Sequence, residues 1–214
     1  MKRVYSAADA FLPKENLTIS REVLDEETLA LRVFRLGKGT SISPEAYEHR
    51  ALYVGLFGEG KLIDEDGAAV AALSPGSAYV LPAHRMNGVE ADSGTSYLEF
   101  YLKEDMSMNY LEEGRAVALR ELVDYEEDSI VNLDLLDDEA AKLVVMAFDE
   151  GTSLSPHKAP AEAYVAILEG EATVTYEGEA HAMVPGDIIR FERGGLHAVE
   201  ADTTMKMALL LLLA

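Results

Sequence analysis

Short runs of valine, isoleucine, leucine and aromatic residues, cut by glycine and proline, recur along the chain and predict β-strands. In the later half they are KLVVMAF (142–148), AYVAIL (163–168), ATVTY (172–176), DIIRF (187–191) and MKMALLLL (205–212). Gly170, Gly178, Pro185-Gly186 and Gly194-Gly195 separate them, as tight turns between antiparallel strands require. The earlier half has the same rhythm in LALRVFRL (29–36), ALYVGLF (51–57), SAYVLP (77–82) and SYLEFYL (96–102), with a turn at Gly67. Strands this short, at regular intervals, predict an all-β sandwich or barrel.

The two halves repeat each other. GTSISP at 39–44 returns as GTSLSP at 151–156, and the same offset of 112 residues aligns Gly58 with Gly170. LSPGSAYVLPA from Leu73 aligns with MVPGDIIRFER ending at Arg193, and VEAD closes both units at 89–92 and 199–202. Matches in one order with nearly constant spacing point to an internal duplication giving two compact domains, residues 1–118 and 119–214, and not to a solenoid. Between the repeats, residues 121–139 hold nine acidic residues and no basic one. They read as a solvated connector or the first edge strand of the second domain, with an acidic partner-binding segment as the other reading. Residues 9–24 read as a polar lead-in, in part helical.

Composition narrows the partners. With 39 acidic against 18 basic residues, the formal charge of −21 opposes nucleic acid and anionic membrane surfaces and is compatible with a cationic or neutral ligand or a metal ion. No cysteine is present, so any metal is held by His, Asp or Glu. The basic N-terminal residues have no apolar run behind them, and the apolar end MALLLLLA is far short of the roughly 20 residues that span a bilayer. A buried terminal strand and a cytoplasmic protein are the expectations. A glycine-rich phosphate loop, a GxSxG elbow, an HExxH pair and a dinucleotide fingerprint are all missing from the sequence, which argues against nucleotide-driven chemistry and serine hydrolysis.

The segment GTSLSPHKAPAEAYVAILEG (151–170) resembles the first motif of the cupin superfamily, and GEAHAMVPGDIIRFERGGLHAVEA (178–201) resembles the second. His157 falls on the first histidine position, Glu162 close to the glutamate position and His197 on the histidine of the second motif, while Ala159 replaces the expected second histidine. The resemblance implies two tandem cupin-type jelly-roll β-barrels, a bicupin. It also implies a metal site of His157, Glu162 and His197 in the later barrel, a set suited to Fe, Mn, Ni or Zn with open positions for water and substrate. The rival reading makes the histidines hydrogen-bonded rim or core residues and Glu162 a solvated side chain. His181, just after the Gly178 turn, reads as a surface histidine.

In the first unit Glu45, Tyr47, Arg50 and Asn87 stand where His157, Ala159, Glu162 and His197 stand in the second. A guanidinium in place of a carboxylate opposes cation binding, so this pocket is expected to be metal-free. Glu48, His49 and His84 offer an irregular replacement or an ordinary polar network, and an Arg50–Glu45 pair inside the barrel would carry a desolvation cost. Tyr164, Tyr176 and Phe191 are expected in the core, and Arg190 and Arg193 as surface charge or carboxylate-binding groups. Function is expected to be metal-dependent chemistry on a small molecule: isomerisation, decarboxylation, lyase chemistry or oxygen insertion. The alternatives are non-catalytic ligand binding or sensing and a structural role, with a homodimer compatible with any of them.

Overall fold

The structure, a computed structural model, describes residues 4–6, 11–104, 106 and 108–214. In chain order its strands are β1 (Val4–Ser6), β2 (Thr18–Asp25), β3 (Leu29–Leu36), β4 (Ser41–Ala46), β5 (Ala51–Ile63) and β6 (Ala69–Leu73). Next come β7 (Ser77–Leu81), β8 (Met86–Leu102), β9 (Ala116–Ala118), β10 (Ile130–Asp137), β11 (Ala141–Phe148) and β12 (Ser153–Lys158). The last six are β13 (Glu162–Glu169), β14 (Ala172–Tyr176), β15 (Glu179–Met183), β16 (Asp187–Phe191), β17 (Leu196–Ala201) and β18 (Met205–Leu212). The architecture is all-β. No helix among the described residues is long and apolar enough to cross a membrane.

Contacts divide the chain into Ala8–Ala118 and Leu119–Ala214, and the second unit also takes β1. The first domain expected from sequence, residues 1–118, thus gives up its N-terminal strand: Val4 pairs with Ile189 and Ser6 with Asp187 on β16. An edge strand presents unpaired N–H and C=O groups that an incoming strand satisfies, and three residues carry too little pattern to reveal this beforehand. Within the lead-in, Asp9 and Ala10 lie outside the described residues, and from Thr18 the chain is a strand.

In the first unit β5 and β8, of 13 and 17 residues, each serve two layers. Their outer ends pair with β7 and β3, and their inner ends with β6 and β4. In the second unit the corresponding strands are broken into β13 plus β14 and β17 plus β18. They feed a six-stranded sheet, β1-β16-β13-β18-β11-β10, and a four-stranded sheet, β12-β17-β14-β15. The repeated glycines mark these bends. Gly58 and Gly170 have φ of 71° and 75°, and a Cβ there would lie 2.0 Å from the Gly94 carbonyl oxygen and 2.1 Å from that of Thr204. Only glycine combines that backbone with so close an approach.

Period-two alternation builds the second core. Ala163, Val165 and Ile167 of β13, Ala172, Val174 and Tyr176 of β14, and Val199 and Ala201 of β17 face one another across the two sheets. The acidic stretch ends in β10, an edge strand, and its beginning is tied down by a buried lysine. Lys206 Nζ donates to the Arg120 carbonyl at 2.8 Å and lies 4.6 Å from the Tyr125 ring centre. The apolar terminus forms β18, hydrogen-bonded on both sides, to β11 and β13.

The first core differs in kind. Leu36, Leu62, Val89, Tyr53 and Tyr97 form it, with Tyr97 stacked on Phe34 at 5.0 Å and tilted against Tyr53 at 5.6 Å. Glu99 shares the face of Tyr97 on β8 and is only 1% exposed. Tyr47 Oη donates to Glu99 Oε2 at 2.9 Å, and Arg32 Nη1 reaches Oε1 at 3.4 Å. Asn87 Nδ2 donates to Tyr53 Oη at 2.9 Å. Burial pushes the Glu99 carboxyl above its ordinary range, against hydrogen bonds from Tyr47 and Tyr53 and the charge of Arg32.

Two outcomes follow from this packing. Gly170→Ala is expected to destabilise the chain by about 3 kcal/mol, the upper end for a residue held in a disfavoured backbone region, measured by chemical denaturation. Because the folded carboxyl of Glu99 titrates above the unfolded one, its favourable contribution is present at acid pH and lost as pH rises through the folded value. The melting temperature of Glu99→Gln relative to wild type is therefore expected to rise between about pH 4 and pH 7. A flat difference would show that the carboxylate is solvated.

Candidate functional site

A bulge in β12 creates the second unit's distinctive pair. The register slips between Leu154 and His157, after which His157 lies directly opposite His197 on β17. The two rings stand 4.2 Å apart, tilted by 54°. His157 Nδ1 lies 2.8 Å from the Ser155 carbonyl and His197 Nδ1 lies 3.2 Å from that of Gly195. A carbonyl only accepts, so each Nδ1 carries a proton, and in the neutral ring it is Nε2 that keeps the lone pair.

The pair sits at a border. His157 is exposed and His197 buried, the latter stacked on Phe191 at 4.2 Å, and Phe191 in turn packs on Tyr176 at 5.1 Å. Burial lowers the His197 pKa and the neighbouring His157 adds to the shift, while the Gly195 hydrogen bond opposes it, so neutral imidazole is favoured. Gly195 is fixed by this arrangement, because a Cβ on it would lie 2.5 Å from the Tyr176 ring.

Of the three side chains expected to hold a metal, the structure brings together two. Glu162 lies on the opposite face of β13 from Ala163, Val165 and Ile167, and its Oε2 is paired with Arg190 at 2.6 Å. Tyr164 Oη donates to its Oε1, also at 2.6 Å. A strand reverses facing at every residue, so a glutamate one position away from the inward Ala163 points outward. Among the described residues no three His, Asp or Glu side chains form a group able to hold a metal ion. Two imidazoles without a carboxylate do not fit the expected three-ligand ion.

Other expectations also shift. His181 lies across from the core residue Val174 and is half-buried, with Nε2 unpartnered among the described residues, so it faces inward and not to the surface. It belongs to β15, separated from β17 by β14. Arg190 is committed to Glu162, and Arg193 donates to the Leu213 carbonyl at 3.2 Å, which places neither guanidinium at the histidine pair. Tyr176 and Phe191 line the core, whereas Tyr164 faces outward; burial and Glu162 push its phenol up to about 12.

In the first unit Glu45 pairs with Asn87 in the register where His157 meets His197. Arg50 reaches Glu113 at 3.4 Å and also the Met106 carbonyl. Glu48 is exposed, and His84 occupies a turn with φ of 60°, its backbone N–H bonded to the Tyr47 carbonyl. His49 lines a cavity of about 270 Å3 with Arg50, Ala83, Glu104 and Glu113. The sequence reading missed Glu99 and Tyr53. Their signal was a lone acidic residue inside the apolar run SYLEFYL, opposite a tyrosine in ALYVGLF.

Residues 144–213 match the family model described as a cupin domain. That segment of the chain is similar to a cupin domain. The match covers the β11–β18 segment that carries both histidines and does not extend to the first unit. A cupin 2 conserved barrel domain protein from Leptotrichia buccalis superposes with a TM-score of 0.78 at 26% identity, over 99% of this chain and 98% of the other. A salicylate 1,2-dioxygenase from Pseudoaminobacter salicylatoxidans superposes with a TM-score of 0.60 at 11% identity, over 97% of this chain and 80% of the other, a likeness of fold alone. No curated protein matches the sequence.

The lowered pKa of His197 fixes a sign. Its neutral folded form stabilises the chain above the unfolded value of 6.5, and that contribution is lost as pH falls through the folded pKa. Between about pH 7 and pH 5, wild type is expected to lose stability that His197→Gln does not, read as the difference of melting temperatures against pH. Parallel curves would place the imidazole in free solvent.

Proposed function

We propose that the chain is a cupin-type enzyme acting on a small molecule at the histidine pair of its second unit, with proton transfer through the free Nε2 atoms. The observation that carries the reading is the anchoring of both Nδ1–H groups to backbone carbonyls at a border between core and solvent. A neutral, oriented imidazole is suited to taking a proton from a bound ligand, and one positioned group of this kind contributes about 10²–10⁴-fold to rate. Isomerisation and lyase chemistry contain such a step, and decarboxylation needs its reverse, delivery of a proton to the carbanion left when CO2 departs. The wider reading extends the cupin assignment to the first unit, making the chain a duplicated two-barrel protein.

Non-catalytic ligand binding or sensing is the second reading, favoured by the finding that among the described residues no third His, Asp or Glu joins the pair in a group able to hold a metal. Turnover of small carboxylates and sugars, with and without dioxygen, divides the two. For an active substrate, His197→Ala and His157→Ala are each expected to lower kcat/KM by about 10²-fold or more. Glu162→Gln is expected to stay within about threefold, since its carboxylate is tied to Arg190 on the far face. Near-stoichiometric metal in untagged protein, lost on changing Glu162 as well as either histidine, would replace this account with the three-ligand centre. Saturable binding without turnover would leave the sensory reading.

A further inference from the structure

The carbonyl that orients His197 belongs to a peptide group held at both ends. On one side the Gly195 oxygen lies 3.2 Å from His197 Nδ1 and accepts the Ala159 N–H at 3.0 Å. The amide across the same planar bond is that of Leu196, and it donates to Glu177 Oε1 at 2.6 Å. A trans peptide points its N–H and C=O in opposite directions, so a partner that fixes one end fixes the other. Glu177 also donates its own N–H to the Leu196 carbonyl at 2.9 Å, which ties the turn between β14 and β15 to Leu196 by two bonds.

Turn chemistry alone does not explain a glutamate at this position. Tyr176 pairs with Glu179, leaving Glu177 and Gly178 as a two-residue hairpin loop with φ of 51° and 81°. Loops with both central residues at positive φ favour Asn or Asp before Gly, because these tolerate that region and bond their own backbone. A longer side chain held there points to a contact that needs its reach. In the first unit the corresponding loop is longer, residues 64–68 between the paired Ile63 and Ala69, and the Asp64 carboxylate is bonded inside it to the N–H groups of Asp66 and Ala68. That unit has Asn87 where the second has His197.

We propose that Glu177 is a positioning residue for His197, acting through the Gly195–Leu196 peptide group: its carboxylate holds the amide end, and the carbonyl end keeps the proton on Nδ1 and the lone pair on Nε2. The bond to an anionic oxygen also polarises the peptide and makes the Gly195 oxygen a stronger acceptor for the ring N–H. Which imidazole nitrogen carries the proton follows from the hydrogen bonds the ring makes. This role rests on the proposed proton transfer at the histidine pair, whereas the tautomer is a property of the protein without substrate.

Nitrogen NMR of the isotope-labelled full chain at about pH 8, where the His197 ring is neutral, reads that tautomer directly. In the wild type Nε2 is expected to resonate as an unprotonated nitrogen and Nδ1 as a protonated one. Glu177→Asn draws the side chain out of reach of Leu196 while leaving the Asn-Gly pair that such loops prefer. Its melting temperature is therefore expected to stay near that of wild type, while the two His197 nitrogen resonances move towards each other. Glu177→Gln retains an acceptor oxygen and is expected to keep the wild-type pattern. For a small molecule that the chain turns over, Glu177→Asn is expected to lower kcat/KM by about tenfold and Glu177→Gln by less than about threefold. Unmoved resonances in a folded Glu177→Asn, or equal movement in Glu177→Gln, would overturn the role of Glu177 whatever the activity. A changed tautomer in Glu177→Asn, in a chain that turns over no small molecule, would uphold that role and leave the sensory reading for the site.

Discussion

A β-strand sends consecutive side chains to opposite faces, and the chemistry of both units hangs on that parity. On β13, Ala163, Val165 and Ile167 point into the core, so Glu162 and Tyr164 are obliged to point away. On β17 the same rule turns His197, Val199 and Ala201 inward together. A displacement of one residue in β13 therefore separates a carboxylate from an imidazole by the full thickness of a sheet, whatever their closeness in sequence. The bulge in β12 works the other way, restoring His157 to register with His197 after Pro156.

Burial then decides what those side chains do. Once outward, Glu162 is neutralised by Arg190 and bonded by Tyr164, a partly exposed ion pair of modest energetic weight. Once inward, His197 is desolvated between Phe191 and His157 and kept neutral, with its tautomer set by a backbone carbonyl. In the first unit parity turns Glu99 inward beside Tyr97, where burial raises its pKa and three donors hold it. The two interiors thus differ in polarity even though their glycine bends and strand pairings correspond. One has a nearly apolar core with imidazoles at its border, and the other has an acid and an amide within its aromatic packing.

The bends that carry these strands between layers place a further demand on the backbone. Gly58 and Gly170 stand where neighbouring backbone, β8 at Gly94 and the turn at Thr204, comes within 2.0 and 2.1 Å of a would-be Cβ, so the layers close together only because no side chain is there. Gly195 plays a local version of this part. Its missing Cβ admits the Tyr176 ring, and its carbonyl orients His197. Lys206 adds an anchor outside the core by bonding the Arg120 carbonyl, which ties the start of the acidic stretch to β18.

The sequence by itself determined the strands, the turns and the internal order of motifs, because alternation and glycine placement are local properties that each segment carries alone. It also determined that His157 and His197 belong to one motif pair, and that the apolar terminus is a strand. Which carboxylate joins them was beyond its reach, since Glu162 and Ala163 are neighbours in sequence and only cross-strand pairing assigns their faces. The same holds for β1, whose three residues found a partner edge more than 180 positions away at Asp187 to Ile189. Glu99 and Asn87 looked like isolated polar residues until folding placed them in one interior. Facing, long-range pairing and desolvation are properties of the assembled sheets, and those decided the chemistry.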